Sequence, residues 1–135
     1  MDINKSTLDR LTEAAKQSPR LRMNLDMRTT TEDNSQRMLN ALEPGTDVPI
    51  HRHPLSTETV CVLRGRVRQT YYAEDGSKTA QEEIAAQSSC PFYCVPKGVW
   101  HKTEALEEGT VIFEAKDGKY GQDGSETLNP GGSQA

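Results

Sequence analysis

The chain of 135 residues has room for one domain with one hydrophobic core. Hydrophobic residues make up 33% of it and charged residues 27%, the formal net charge is −4, and no basic cluster has the density expected of a nucleic-acid-binding surface. No stretch approaches the ~20 apolar residues that span a bilayer and the first residues lack the apolar segment of a secretory signal, so we expect a cytoplasmic protein without nucleic-acid or membrane partners.

The first predicted element is a short amphipathic helix. Ser6 is a suitable N-cap, and Leu8, Leu11 and Ala15 recur on one helical face until Pro19 ends the pattern. We expect this helix to pack on the body of the domain.

Strand patterns fill the middle of the chain. Residues 20–27 alternate strictly between polar and apolar side chains, which is the period of a strand with one covered face. Further strands are predicted where strand-forming residues cluster, at residues 36–42, 58–63, 66–72, 78–85 and 110–115. Short strands separated by turn signals, with no second long helix, indicate an all-β double-sheet barrel.

The chain divides into three predicted parts. Residues 1–18 form the helix packed on the barrel, residues 19–116 form the barrel, and residues 117–135 form a flexible tail. The tail is rich in Gly, Ser and Asp with hardly an apolar residue, so it cannot bury enough surface to offset its ordering entropy.

All three histidines of the chain belong to one pattern. His51 and His53 are two residues apart on an extended segment, so their side chains point the same way and can hold one ion. Pro54 breaks that strand, and Glu58 returns at the start of the next one. His101 follows a Pro- and Gly-containing turn that can aim a fourth ligand from a distant segment. Three imidazoles and one carboxylate suit a divalent transition metal with positions left open for water or substrate.

Three further side chains are candidates for contact with a substrate. Arg37 precedes the metal pair on a strand, and its guanidinium would pair with a carboxylate or phosphate if it pointed into the barrel mouth; a solvated charged face is the alternative. Tyr71 and Trp100 are candidate pocket walls, with core packing as the alternative for each. Trp100 has the better claim, because it is next to His101.

The spacing Gly45-x5-His51-x-His53-x4-Glu58-x6-Gly65 resembles the first motif of the cupin superfamily at every fixed position. This resemblance implies a single double-stranded β-helix, the jelly-roll barrel of the cupins. It also implies that the three histidines and the glutamate are metal ligands.

The second cupin motif is matched in part. Pro96, Gly98 and His101 stand where the family has them, whereas Cys90 and Ala105 replace a Gly and an Asn. Neither departure removes a ligand, so it is the geometry of the turns that differs.

Residues 18–22, 36–42 and 51–54 also resemble the small WbuC-type cupin metalloproteins found with bacterial surface-polysaccharide genes. That resemblance implies a sugar-like or other small polar metabolite as ligand. Many single-domain cupins pair through an outer sheet, and the outer face of the Glu58 strand carries Thr59, Cys61 and Leu63, so we expect a homodimer.

The sequence leaves the metal and the chemistry open. Fe, Mn or Ni would be consistent with a dioxygenase or with an isomerase or epimerase, whereas Zn favours Lewis-acid or purely binding roles. Our leading hypothesis is a metal-binding cupin that acts on or binds a small polar metabolite; a noncatalytic ligand-binding or sensor module and an iron-dependent dioxygenase are the alternatives. No catalytic residue is assigned, and with no fourth histidine, proton transfer falls to a carboxylate, a tyrosine or the metal site itself.

Overall fold

A computed structural model describes residues 1–128 of the chain. The helix and strands of these residues are α1 Lys5–Gln17, β1 Arg22–Asp26, β2 Ser35–Leu42, β3 Ile50–Arg52, β4 Glu58–Arg64, β5 Arg66–Tyr72, β6 Lys78–Ala85, β7 Phe92–Val95, β8 Trp100–Ala105, β9 Thr110–Asp117 and β10 Glu126–Leu128. The strands build two five-stranded antiparallel sheets, sheet A in the order β1-β2-β9-β4-β7 and sheet B in the order β10-β3-β8-β5-β6. This architecture confirms the predicted all-β jelly-roll barrel with a short N-terminal helix.

Helix α1 begins earlier than predicted, because its N-cap is Asn4 and not Ser6. The Asn4 side chain accepts a hydrogen bond from the Thr7 backbone N–H, and the Thr7 hydroxyl accepts one from the Asn4 N–H. This capping box satisfies two backbone donors at the start of the helix at once. Within residues 1–128 no helix has the length and apolar character needed to cross a membrane.

The barrel interior changes from apolar to polar along its length. On sheet A, the inner face of β4 passes from Val60 to Glu58, and that of β9 passes from Ile112 to Glu114. The apolar end holds the two sheets together through its buried side chains, which are Leu42, Val60, Val62, Val67, Ile84, Tyr93, Val95, Ala105 and Ile112. The polar end therefore remains available for a site.

The C-terminal segment differs from the flexible tail predicted for residues 117–135. Strand β9 continues through Asp117, and β10 pairs antiparallel with β3. Between them Asp123, only 6% exposed, accepts a hydrogen bond from Gln36 Nε2 at 3.0 Å. Composition misled the prediction because this segment is held by backbone pairing and polar contacts more than by apolar burial. Residues 129–135 of the predicted tail lie outside the described residues.

Gly65 joins β4 to β5 with a φ of +83°, and it packs closely against Thr110. A Cβ at this position would overlap Thr110 Oγ1 and lie 2.8 Å from Thr110 Cα. We expect Gly65→Ala to lower the free energy of unfolding by about 1–2 kcal/mol for the left-handed backbone and roughly 1–3 kcal/mol more for the overlap.

Gly76 provides the matched control, because its φ is +86° but a Cβ there would meet nothing within 4 Å. Gly76→Ala should therefore show only the backbone contribution. Denaturant unfolding of both variants measures the difference, and equal losses would contradict the close packing at Gly65.

Candidate metal centre

The three histidines meet at the polar end of the barrel. His51 lies on β3, His53 directly follows that strand, and His101 lies opposite His51 on β8. The ring centroids are 4.2 Å apart for His51 and His101, 5.0 Å for His51 and His53, and 5.3 Å for His53 and His101. One ring nitrogen of each lies within 4.8 Å of the others. The structure thus brings together the three imidazoles that the sequence selects as candidate ligands.

Glu58, the fourth candidate ligand, reaches this cluster from the opposite sheet. Its Oε2 is 3.4 Å from His53 Nε2, and its Oε1 is 3.9 Å from His101 Nε2. Burial, reinforced by the nearby Glu114, raises the pKa of the Glu58 carboxyl above its ordinary value. A cation at the centre would favour the ionised form of this carboxyl and would tie sheet A to sheet B.

Hydrogen bonds determine which nitrogen of each imidazole faces the centre. Nδ1 of His51 and of His101 each lies 2.9 Å from the backbone carbonyl two residues earlier, that of Pro49 and Val99 respectively. A carbonyl only accepts, so each Nδ1 carries the proton and each Nε2 presents a lone pair. Nε2 of His53 and Nε2 of His101 are both buried without a hydrogen-bond partner among the described residues. A metal ion fits this arrangement, because it would satisfy both atoms at once.

Burial also keeps the imidazoles neutral. It lowers the pKa of His53 and of His101 to about 3, and it lowers the pKa of His51 as well. The ammonium of Lys116 adds to the effect on His53. Since the neutral imidazole is the form that binds metal, these groups are ready for coordination at neutral pH.

A cavity of about 440 Å³ opens beside the imidazoles. Glu114 and Lys116 of β9 line it, following Ile112 on the same inner face. Lys116 Nζ is 3.7 Å from Glu58 and 3.5 Å from Asp123, and it is the only cationic side chain that lines the cavity within the described part of the chain. The sequence interpretation missed Glu114 and Lys116, although their two-residue spacing after an apolar core position was a usable signal.

Arg37 does not line this cavity, contrary to the expectation that it could point into the barrel mouth. The inner face of β2 is occupied by its neighbours Gln36 and Met38, so strand alternation directs Arg37 outward. There it forms an ion pair with Asp33 at 3.0 Å.

Trp100 and Tyr71 do not line the cavity either. Trp100 directly precedes His101 and so points to the opposite face of β8, where its Nε1 donates to Glu74 at 3.2 Å. Tyr71 lies opposite His101 on the same inner face, but its ring packs against the core and its hydroxyl donates to Glu82 at 3.2 Å. Tyr71 therefore packs against the core, which is the alternative that the sequence left open, whereas the Trp100 ring lies 4.4 Å from the Arg52 guanidinium.

Comparison with known proteins identifies a family to which the sequence is similar. A family model described as "Domain of unknown function (DUF6016)" matches residues 3–84. Comparison with curated proteins finds no match.

Several solved structures share the fold. The chain is similar to an oxalate oxidase in complex with the substrate analogue glycolate, with 17% identity and a TM-score of 0.61 over 80% of this chain and 55% of that one. It is similar to the oxalate decarboxylase from Bacillus subtilis at pH 4.6, with 21% identity and a TM-score of 0.60 over 79% of this chain and 27% of that one. It is also similar to the Cnp3 cupin domain of Schizosaccharomyces pombe, with 11% identity and a TM-score of 0.58 over 72% of this chain and 64% of that one.

These similarities show that the barrel is a cupin fold. The chain spans about half the length of the oxalate oxidase and about a quarter of the oxalate decarboxylase. At this level of identity the likeness concerns the fold and leaves the activity to be argued from the site.

Metal affinity should rise with pH until Glu58 is ionised. Burial raises the pKa of this carboxyl, so Glu58 still carries a proton over a pH range in which an ordinary glutamate is ionised. A metal that binds in this pH range must displace that proton, which weakens its binding. We expect the affinity for Zn(II) to increase by up to about tenfold per pH unit over that range, and Glu58→Gln to bind more weakly with a flatter profile.

Competition against a chromophoric chelator across the range from about pH 5 to about pH 9 measures this profile. Glu104→Gln is the control, because Glu104 pairs with Arg68 at 3.6 Å and does not line the cavity. A Glu58→Gln protein with the wild-type affinity and slope would show that Glu58 does not bind the metal.

Proposed function

Since the chain belongs to the family described as a domain of unknown function (DUF6016), we propose from the site itself that it is a metal-binding cupin that binds or acts on a small polar metabolite. The observation that carries this proposal is the pair of buried Nε2 atoms on His53 and His101 that have no hydrogen-bond partner among the described residues. Three neutral imidazoles and a carboxylate would hold Fe, Mn, Ni or Zn, and the bound ion would polarise a ligand oxygen.

The cavity beside the imidazoles supports a small polar ligand. Its volume of about 440 Å³ falls in the range of small-molecule pockets, and its walls carry the Gln36 amide, the Lys116 ammonium and the Glu114 carboxyl. The Lys116 ammonium and a protonated Glu114 can donate to hydroxyl and carboxylate oxygens, and the Gln36 amide oxygen can accept from a hydroxyl. Sugar derivatives, which the WbuC-type resemblance implies, and small carboxylates such as oxalate and glycolate both have such oxygens.

Glu114 is the side chain best suited to exchange a proton with such a ligand. Burial raises the pKa of its carboxyl against the opposing effect of the Lys116 ammonium, so that it retains a proton where an exposed glutamate would have lost it. With every histidine of the chain in the metal cluster, we propose Glu114 for this role if the protein is an enzyme. A sensor or binding module would have no need of proton transfer.

Elemental analysis of protein purified without added metal tests the proposal. We expect one bound divalent ion per chain, and we expect His53→Ala to lose most of it while the strands remain folded, because one of the inward-facing nitrogens is removed. Trp100→Phe is the control, since Trp100 is next to the ligand His101 but faces away from the site. Metal-free wild-type protein that also takes up no added metal would contradict the proposal.

Ligand titrations separate the functional classes. Calorimetry with oxalate, glycolate and nucleotide sugars should show binding that depends on the metal, because the ion supplies one of the contacts. Formation of a product indicates an enzyme, and oxygen uptake with iron indicates a dioxygenase. Binding without product for every metal indicates a binding or sensor module, and binding that does not require metal would contradict a ligand site at the ion.

We also propose that the protein is a homodimer, as the outer face of β4 suggests. An apolar groove of about 670 Å³ crosses the outer face of sheet A beside α1. Leu63 and Phe92 at this groove are 38% and 57% exposed, and β7, which carries Phe92, is an edge strand of the sheet. A second copy of the chain would cover these side chains and the sheet edge together.

Light scattering after gel filtration measures the mass in solution. We expect a mass of two chains for the wild type and a shift toward one chain for Phe92→Glu, because the variant places a charge in the apolar groove. Leu55→Glu is the control, since Leu55 is 71% exposed and does not line the groove. A wild-type mass of one chain would contradict the dimer.

A further inference from the structure

We propose that the turn at residues 123–125 is a positioning element of the metal site, which holds His53 in the tautomer that binds metal. This inference rests on the proposed function and assigns a role in it to the C-terminal segment. Ser125 Oγ lies 2.8 Å from His53 Nδ1, and Asp123 Oδ1 lies 2.8 Å from Ser125 Oγ. The three side chains thus form one hydrogen-bonded chain that ends at the candidate ligand.

The carboxylate at the end of this chain sets the direction of its hydrogen bonds. Asp123 accepts from the Ser125 hydroxyl and from Gln36 Nε2. Because the Ser125 hydroxyl donates its hydrogen to Asp123, the Ser125 oxygen can only accept a hydrogen bond from His53. Nδ1 of His53 therefore carries the imidazole proton. The lone pair is then on Nε2, which is the buried atom that faces Glu58. His53 thereby adopts the orientation that backbone carbonyls impose on the other two imidazoles.

A second arrangement of the same groups competes with this one. Lys116 Nζ is 3.2 Å from His53 Nδ1, and an ammonium can bind that nitrogen only when it carries no proton. The proton would then lie on Nε2, 3.4 Å from Glu58 Oε2, where it would block a metal. Asp123 opposes this arrangement in two ways, because it orients the Ser125 hydroxyl and also pairs with Lys116 at 3.5 Å.

The turn is anchored to the barrel by contacts that do not involve the side chains of the candidate ligands. Gln36 Nε2 binds Asp123 Oδ2 at 3.0 Å and also the carbonyl oxygen of Gly118 at 3.2 Å. Directly after the turn, β10 pairs with β3, the strand that carries His51. These contacts fix the position of Ser125 relative to the imidazoles, as a positioning group requires.

The chain contains a second Asp-Gly-Ser turn that has no contact with the site. In the β5–β6 hairpin, Ser77 donates its backbone N–H and its hydroxyl to Asp75 Oδ1 at 2.9 Å and 2.6 Å. The same two bonds from Ser125 to Asp123 measure 3.2 Å and 2.8 Å. The turn chemistry is therefore shared, and only the turn at residues 123–125 presents its serine to a histidine. Ser77→Ala is the matched control for Ser125→Ala.

Zinc affinity of the full chain, measured by chelator competition, is the first test. We expect Ser125→Ala to bind Zn(II) about 10–100-fold more weakly, which is the usual effect of losing a hydrogen-bond partner of a ligand. Ser125→Thr keeps the hydroxyl and should restore most of the affinity, and Ser77→Ala should match the wild type. Asp123→Asn keeps the shape but offers amide donors to Ser125, so it should weaken binding even if Ser125→Ala fails to fold.

The tautomer of His53 is the second test, because a merely structural serine would not change it. In ¹⁵N NMR spectra of the metal-free protein we expect the proton on Nδ1 in the wild type and on Nε2 in Ser125→Ala and Asp123→Asn. A wild-type proton on Nε2, or weaker zinc binding without a change of tautomer, would overturn the inference. If the wild type binds no metal at all, the proposed function fails, whereas wild-type affinity in Ser125→Ala overturns the positioning role alone.

Discussion

The orientation of three imidazoles is the constraint on which the site depends. Each Nδ1 faces an oxygen, from a backbone carbonyl for His51 and His101 and from the Ser125 hydroxyl for His53. That arrangement leaves three Nε2 lone pairs at the centre, in a place where burial disfavours their protonation. The buried Nε2 atoms of His53 and His101 lack a hydrogen-bond partner within residues 1–128, and a cation at the centre would contact both of them. A divalent cation is the partner whose chemistry matches neutral nitrogen and carboxylate ligands.

The interior of the barrel has an apolar end and a polar end, and the candidate site lies at the polar end. Its apolar end supplies the burial that holds two sheets together, while the polar end presents side chains from both sheets across a narrow gap. Histidines come from the side of sheet B and the carboxylates Glu58 and Glu114 from sheet A, so a ligand in the cavity would contact both walls. The segment after β9 then closes part of the rim with Asp123 and Ser125. The candidate site thereby lies at the polar end of the barrel, away from the apolar core.

The sequence correctly predicted features that depend on local residue spacing. It failed for features that depend on strand pairing or on contacts between distant residues. His51 and His53 were found because residues two apart on a strand share a face, and β5 and β6 were found because strand-forming residues cluster in them. The same alternation rule excludes Trp100 from the site once His101 is placed in it, which the prediction overlooked. Arg37 could not be assigned to a face until β2 was paired with its neighbours.

The C-terminal segment shows the limit of composition as a guide. It has few apolar residues, yet its Asp123 is bound by Lys116 and by Gln36, and Gln36 is 87 residues earlier in the chain. A usable signal was present, since its Asp-Gly-Ser repeats the triplet found in the turn between β5 and β6 and so marks an ordered turn.

The most direct test of the central claim is an anomalous-scattering map from crystals of protein purified without added metal. The geometry predicts a single peak at about 2.0–2.2 Å from Nε2 of His51, His53 and His101 and from a carboxylate oxygen of Glu58. A map without a peak at this position after soaking in divalent metal, or a peak elsewhere in the molecule, would contradict the account.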